Sequence, residues 1–368
     1  MKVLFIITGL GLGGAETQLI QMINYLARKK YEIKVIKLTG RNEIVPDNKN
    51  IEIIDLSLKR KGNSIYSLVR ALILTVKECW IFRPEVVHSH MIHANILARL
   101  SRFFYRPKRL ICTAHSNFEG GKIHQIIYKM TSGLCDEFTH VSLNGIKSFE
   151  NQGIVQPDTM KLVYNGIDVN RFKYSASSRQ EIRRKLGIEN KKVVLTIASF
   201  KEAKDYPNLL NAFYDLCQVR NDCKLLVIGT GTEEEIRTVK NITKHLSLEN
   251  EVIFLGLVHN VEQYLSSADC FVLASKWEGF GLVVAEAMST SCPVVVTRNG
   301  GSEEVVEDCG VIVPAENAKC LSEKIDLILN LNEDEIKNIK YNARNRVIDM
   351  FDFESSMNSW IKIYNNEN

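Results

Sequence analysis

The sequence predicts an α/β chain of two Rossmann-like, parallel-sheet domains facing a central cleft. Three observations predict it. Short apolar runs alternate with helical patterns twice over: KVLFIIT, YEIKVIKL, IEIIDL, EVVHSH, RLICTAH and EFTHVS in the first half, then KVVLTIAS, CKLLVIGT, EVIFLG, CFVLAS, PVVVTR and GVIVP in the second. Strands alternating with helices build a parallel sheet covered on both faces. Between the two series lies a polar stretch without strand pattern, Tyr174–Asn190. The length of 368 residues also exceeds what one core usually organises.

Each element follows from its pattern. TQLIQMINYLARK carries Leu19, Met22, Ile23 and Leu26 at helical spacing, and PNLLNAFYDLCQV and EEEIRTVKNITKHL are the matching helices of the second series. The expected N-terminal domain is 1–171, the linker 172–187 and the C-terminal domain 188–351. The last segment, 352–368, contains MNSWIKIY, an amphipathic helix with Trp360 and Ile363 on one face. It is expected to pack back on the first domain.

Apolar residues make up 45% and charged residues 24%, the balance of a soluble globular protein. The richest apolar stretch, Ile65–Ile81, is broken by Arg70, Lys77 and Glu78, short of the ~18 uninterrupted residues of a membrane span. The N-terminal VLFIIT leads straight into glycines and reads as a strand, not a signal peptide. Nine scattered cysteines, none in a CxxC pair, read as free thiols in a reducing compartment. Charge is uneven. Residues 1–170 hold 23 Lys/Arg against 14 Asp/Glu, and residues 171–368 hold 24 against 29. A basic half beside an acidic half points the first half toward an anionic surface. Its clusters are Lys59–Lys61 and RFFYRPKR, Arg102–Arg109. The second reads either as a solvated helix end or as a patch for anionic lipid, where basic charge adds to aromatic insertion.

Open parallel sheets bind ligands beyond the carboxyl ends of their strands, so chemistry is expected there. After the first strand, TGLGLGGAE places Gly9, Gly11 and Gly14 in a G-x-G-x-x-G pattern. The acid that a dinucleotide site needs after the second strand is missing, since Glu32 precedes that strand and Glu43 lies well past it. A plain glycine turn at a helix N-terminus, open to phosphate, remains. His115 follows a strand in CTAHSN, and His88 and His90 stand similarly in VVHSH. No carboxylate or cysteine accompanies that HxH, and no D-x-D sits at a strand end, so neither metal nor bound cofactor is expected. Lys201 and Lys204 in ASFKEAKDYPNLL lie before a helix, where cations add to an N-terminus that already favours anions. Gly229 and Gly231 in GTGTEEE offer another close backbone approach. In EGFGLVVAEAM, Gly279 and Gly281 interrupt a continuous helix. Glu278 then sits in a loop, the helix begins near residues 281–283, and Glu286 lies one turn in. The N–H groups of Gly281 and Leu282 form an anion site between two carboxylates, each suited to accept from hydroxyls.

Together these stretches resemble the retaining glycosyltransferases of family 4, with the GT-B fold. The resemblance rests on EGFGLVVAEAM followed by SCPVVVTRNGGSEEVV and GVIVP, on GGAE, on TAH, and on YNGIDVNRF (Tyr164–Phe172), and it spans nearly the whole chain. It implies a sugar transfer from a nucleotide diphosphate sugar, as co-substrate, to an acceptor hydroxyl with retention of configuration. It implies that Glu278 holds the donor sugar, Glu286 the ribose, and Gly279, Phe280, Gly281 and Leu282 the sugar and phosphate. Lys204 would meet the diphosphate, with Ser199, Lys201, Gly229 and Gly231 around it and Gly13 and Gly14 approaching from the other domain. His115 would sit by the reacting carbon, and Glu16, His90 and Asn165 on the acceptor side. Ser199 stands where the family often has an arginine, and Lys201 is the candidate to supply that charge. The basic first half suggests a glycan or lipid-linked acceptor and a cytoplasmic enzyme peripheral to the plasma membrane. No nucleic-acid partner is expected. Rival readings are a nucleotide-sugar epimerase on the same fold, an NAD-dependent enzyme, and a noncatalytic nucleotide-sugar binder.

Overall fold

The computed structural model describes residues 1–40, 42–58, 65–117 and 121–367. The basic cluster 59–61 lies outside them. The chain divides into two compact units, Met1–Asn165 with Ser355–Asn368, and Gly166–Glu354.

The first unit holds a parallel sheet of β1 (Lys2–Ile7), β2 (Glu32–Lys37), β3 (Glu52–Asp55), β4 (Val86–His90), β5 (Arg109–Ala114), β6 (Glu137–His140) and β7 (Met160–Leu162). Their order is β3-β2-β1-β4-β5-β6-β7. Its helices are α1 (Gly14–Arg28), α2 (Ile65–Phe82), α3 (Ile92–Ser101), α4 (Lys122–Thr131) and α5 (Leu143–Asn151). Six strands sit where the apolar runs put them. β7 went unforeseen, since Met-Lys-Leu is too short to show a pattern. Leu4, Ile6, Ile36, Ala71, Cys79 and Val87 form part of one core, and Tyr128, Phe138 and Phe149 anchor a second.

The second unit repeats the plan. β8 (Lys192–Ile197), β9 (Cys223–Ile228), β10 (Val252–Gly256), β11 (Cys270–Leu273), β12 (Val294–Thr297) and β13 (Val311–Val313) run parallel in the order β10-β9-β8-β11-β12-β13. Helices α6 (Ala176–Leu186), α7 (Tyr206–Val219), α8 (Glu233–His245), α9 (Val261–Ser267), α10 (Leu282–Ser289), α11 (Gly301–Val306), α12 (Ala318–Leu329) and α13 (Glu333–Phe351) accompany it, and α14 (Phe353–Asn365) follows. In both sheets the strand order reverses beside the first strand. The two switch points therefore lie between β1 and β4 and between β8 and β11, where such sheets open a crevice for ligand. Among the described residues no helix is long and apolar enough to cross a membrane.

Three expected bounds differ in the structure. The stretch 172–187 is no linker, because α6 occupies it. Ser175 Oγ caps α6 by accepting from Ser178 N–H at 3.2 Å, and Gly187 ends it at φ 65°. Arg179 and Arg183 reach Asp269 at 2.5 and 2.6 Å, and Asp269 also accepts from Val193 N–H at 2.8 Å. These bonds tie α6 to the starts of β8 and β11, so two of its arginines serve anchoring while Gln180, Glu181, Arg184 and Lys185 stay exposed. The first domain likewise does not extend to 171, and the second extends past 351. Ile167 N–H donates to Phe351 O at 2.7 Å, Phe353 N–H donates to Ile167 O at 3.0 Å, and Phe172 O accepts from Ser289 Oγ at 2.7 Å, all within the second unit. At the C-terminus, Trp360 packs at a tilt against His88 with centroids 4.7 Å apart, and Tyr364 Oη lies 2.8 Å from His88 Nδ1. Both contacts are internal to the first unit.

Candidate functional site

In the second unit, the loops after β8 and β11 meet at the switch point. Lys204, after β8, pairs with Glu278 Oε1, after β11. Ser275 Oγ donates to the same oxygen at 2.8 Å. The main chain fixes both loops. Lys276 N–H donates to Ala203 O at 2.8 Å, Glu278 N–H to Asn299 O at 3.1 Å, and Gly301 N–H to Glu278 O at 3.2 Å. The loop then turns at Gly281, whose φ of 92° suits glycine, and α10 opens at Leu282, inside the expected window. The first N–H groups of α10 have no acceptor within the helix, so its N-terminus favours an anion. Gly301 permits the close approach of α11 to this loop, since a Cβ there would sit 2.5 Å from Phe280 N and 2.6 Å from Gly279 C. Gly229 at φ 150° lets the end of β9 approach β8, since a Cβ would lie 1.9 Å from Ala198 O.

Glu286 lies in the first turns of α10 and is buried. Burial pushes its carboxyl up to about 8 and Glu262 adds to this, while Arg171 opposes it. At neutral pH it is largely a neutral acid, able both to donate and to accept a hydrogen bond. Lys201 is exposed beside this loop, whereas Lys204 is partly covered. Three polar side chains here were not singled out from sequence. Ser275 holds Glu278, and Asn299 and Ser302 stand after β12 with Asn299 Nδ2 and Ser302 Oγ buried and without a protein partner. All three follow strand ends, the same positional rule that found Glu278.

The first unit's switch point has different chemistry. α1 opens at Gly14 after Gly13. Glu16 folds back on the turn, so that a Cβ on Gly13 would lie 2.3 Å from its Oε2. Glu43, discounted as a ribose ligand, accepts from Leu12 N–H at 3.1 Å. Two carboxylates thus border the glycine turn. At the ends of adjacent strands His90 Nδ1 lies 3.0 Å from His115 Nε2, and the His90 ring packs at a tilt on His88 with centroids 4.1 Å apart. Desolvation brings His115 down to about 3, helped by His140, and holds His88 and His90 well below the usual imidazole range. All three are neutral at pH 7, so His115 can exchange hydrogen bonds with a hydroxyl but carries no proton to give as an acid. His88 turns inward to Tyr364 and Thr113, the latter at 2.7 Å, and belongs to the core. Asn165 is buried at the end of this unit.

Two family models match nearly the whole chain between them: Glycosyltransferase Family 4 over residues 12–171 and Glycosyl transferases group 1 over residues 178–346. The chain belongs to the family 4, group 1 glycosyltransferases. This glycosyltransferase is 30% identical over 219 residues to N-acetyl-alpha-D-glucosaminyl L-malate synthase of Bacillus anthracis, covering 58% of this chain and 56% of that one. It is 23% identical over 337 residues to the N-acetylgalactosamine-N,N'-diacetylbacillosaminyl-diphospho-undecaprenol 4-alpha-N-acetylgalactosaminyltransferase of Campylobacter jejuni, covering 88% of each chain. Anabaena HepE, solved in complex with UDP, superimposes with a TM-score of 0.85 over the full length of both chains at 21% identity. The GT-B architecture of the glycosyltransferase is thereby established, with two Rossmann-like domains.

Proposed function

We propose that this glycosyltransferase moves a sugar from a UDP-sugar to an acceptor hydroxyl with retention of configuration, and that the acceptor is a lipid-linked glycan of bacterial surface polysaccharide such as capsule, O-antigen or exopolysaccharide. The observation that carries the reading is the Lys204–Glu278 pair at the switch point, set against the N-terminus of α10. A diphosphate entering there draws Lys204 away from Glu278 and takes the helix N–H groups. Glu278, still held by Ser275, is freed to accept from sugar hydroxyls. Glu286, one to two turns further along α10, meets the ribose.

Catalysis then rests on stabilising the departing diphosphate, a preorganised electrostatic effect in which one well-placed donor contributes roughly 10²–10³ in rate. As the glycosidic C–O bond breaks, its electron pair goes to the diphosphate. The acceptor oxygen attacks on the same face, and its proton passes to the leaving phosphate oxygen. Lys204 and the α10 N–H groups supply the positive charge that a divalent cation supplies elsewhere, so no obligatory metal is part of the proposal. The diphospho-undecaprenol acceptor in the name of the Campylobacter relative supports a lipid-linked acceptor, and the proposal places the reaction at the cytoplasmic face of the membrane. The test is a screen of nucleotide sugars for binding and slow hydrolysis, with Glu278→Ala and His115→Ala as controls and EDTA in one arm. Binding of a UDP-sugar lost in Glu278→Ala supports the proposal. If no nucleotide sugar binds, it falls, and loss of turnover with EDTA removes metal independence.

A further inference from the structure

The outer face of α2 is apolar, and among the described residues it lies exposed. The helix buries Ala71, Thr75 and Cys79, one turn apart, against the sheet. Its opposite side carries Tyr66, Val69, Ile73 and Trp80, with Ile73 61% and Trp80 59% exposed. A helix that shows large apolar groups on the side away from its core marks a contact surface. The stripe continues beyond the helix. Trp80 packs edge-on against Tyr105 at 5.6 Å, and Tyr105 Oη donates to Pro84 O at 3.1 Å. This places the turn after α3 beside it, where Phe103 is 66% exposed and Phe104 is similarly bare.

Among the described residues, the charge on this face has one sign. Arg70 and Lys77 are exposed within the α2 stripe, and Arg83 and Arg106 are exposed at its end. The acids nearest in sequence are turned away, Glu78 to Lys34 at 3.0 Å and Glu85 to Lys108 at 2.7 Å. Cations interleaved with bulky apolar groups decide between occupants. The core of a protein–protein interface accepts aromatic groups and arginine but is depleted of lysine, and Lys77 stands within this stripe. At a bilayer surface the same mixture is satisfied at two depths, with Ile, Phe and Trp entering the acyl boundary and Arg and Lys extending to the headgroup phosphates.

We propose that the outer face of α2, with the Phe103–Phe104 turn, docks the protein on an anionic lipid bilayer. The face lies in the first unit and the inference stands apart from the sugar-transfer reading. That reading would gain from it, because a lipid-linked acceptor is held at the same surface. The experiment is co-sedimentation of the full chain with vesicles of phosphatidylcholine alone and of phosphatidylcholine with phosphatidylglycerol, without sugar nucleotide. Strong binding only to the mixed vesicles, weakened by salt, is expected. At roughly five-fold per basic residue, the Arg70→Gln/Lys77→Gln variant should bind about thirty-fold more weakly. Ile73→Ser/Trp80→Ser should also lose binding. Far-UV circular dichroism and nucleotide binding check that both variants keep their fold. Absent binding to mixed vesicles, equal binding to neutral ones, or unchanged binding by the charge variant overturns the inference. So does a dimer in sedimentation velocity that Ile73→Ser/Trp80→Ser dissolves while vesicles are ignored, since a second copy is then the occupant. Failure here leaves the transfer reaction standing, and failure of the nucleotide-sugar screen leaves the docking face standing.

Discussion

Replacing Glu286 with glutamine separates burial from charge at one position. The side chain keeps its shape and loses its titration. In the wild type, burial raises the carboxyl from an ordinary 4.5 to about 8. At about 1.36 kcal/mol per tenfold change in proton affinity, that difference corresponds to roughly 4–5 kcal/mol. Below pH 4.5 the group is protonated in both folded and unfolded states, and the stability is fully present. Between pH 4.5 and 8 the unfolded chain ionises while the native group keeps its proton, so stability falls. Above 8 the native carboxyl ionises too and the loss is complete. Glu286→Gln lacks this component. Urea unfolding of variant and wild type at matched pH cancels the other titrations, and the difference should grow in favour of the variant from pH 5 to 8 by a few kcal/mol. The same carboxyl gives a binding signature. A carboxylate accepting hydrogen bonds from ribose hydroxyls prefers to be ionised, so UDP binding near pH 7 should release a proton, seen as buffer-dependent enthalpy in titration calorimetry. The variant should release none at this site. A stability difference that stays flat with pH, together with equal proton release by both proteins, would refute the assignment of a buried, neutral Glu286.

Three further outcomes follow from the same geometry. Lys204→Ala should leave the fold intact and lower turnover by roughly 10²–10³, measured with saturating donor, because the developing diphosphate charge loses a positioned cation; an unchanged rate would remove Lys204 from the mechanism. Asp269→Ala strands Arg179 and Arg183, and breaking such a pair costs about 3–5 kcal/mol, read as a lower urea midpoint. Because the guanidinium partners hold the Asp269 carboxyl below its usual range despite burial, its contribution is present above pH 3.8 and disappears as pH falls further. Gly301→Ala brings a Cβ within 2.6 Å of the backbone of Gly279 and Phe280, so it should displace the loop carrying Glu278 and abolish UDP binding before it unfolds the chain; calorimetry together with a retained far-UV spectrum checks this.

The strands were legible because buried parallel strands are short runs of Val, Ile and Leu, and the second unit supplies six of them. The glycines around Glu278 were legible for a related reason, since Gly281 at φ 92° and Gly301 at a close approach are positions where other residues strain. What escaped notice depended on distant partners. Residues 176–186 looked like a linker because their polarity was visible and Asp269, which consumes two of their arginines, lies far along the chain. His88 looked as exposed to a ligand as His90, yet its ring bonds to Tyr364, contributed by the C-terminal helix. No local spacing encodes either contact.

The two switch points also divide the proposed chemistry in a way that net charge conceals. The first half of the chain is the basic one, but its glycine turn is bordered by Glu16 and Glu43, and His88, His90 and His115 are neutral. Carboxylates and neutral imidazoles suit hydroxyl groups better than phosphates. The second half is acidic overall, yet its switch point joins Lys204 to the N-terminus of α10. Placing the diphosphate against the second unit and acceptor hydroxyls against the first follows from these local fields, not from the totals. The basic excess of the first half then needs another use, and part of it is found on α2, where Arg70 and Lys77 stand among exposed apolar side chains. A charge inventory by domain points the proposed diphosphate to the first half, whereas the inventory by strand end points it to the half that carries Lys204.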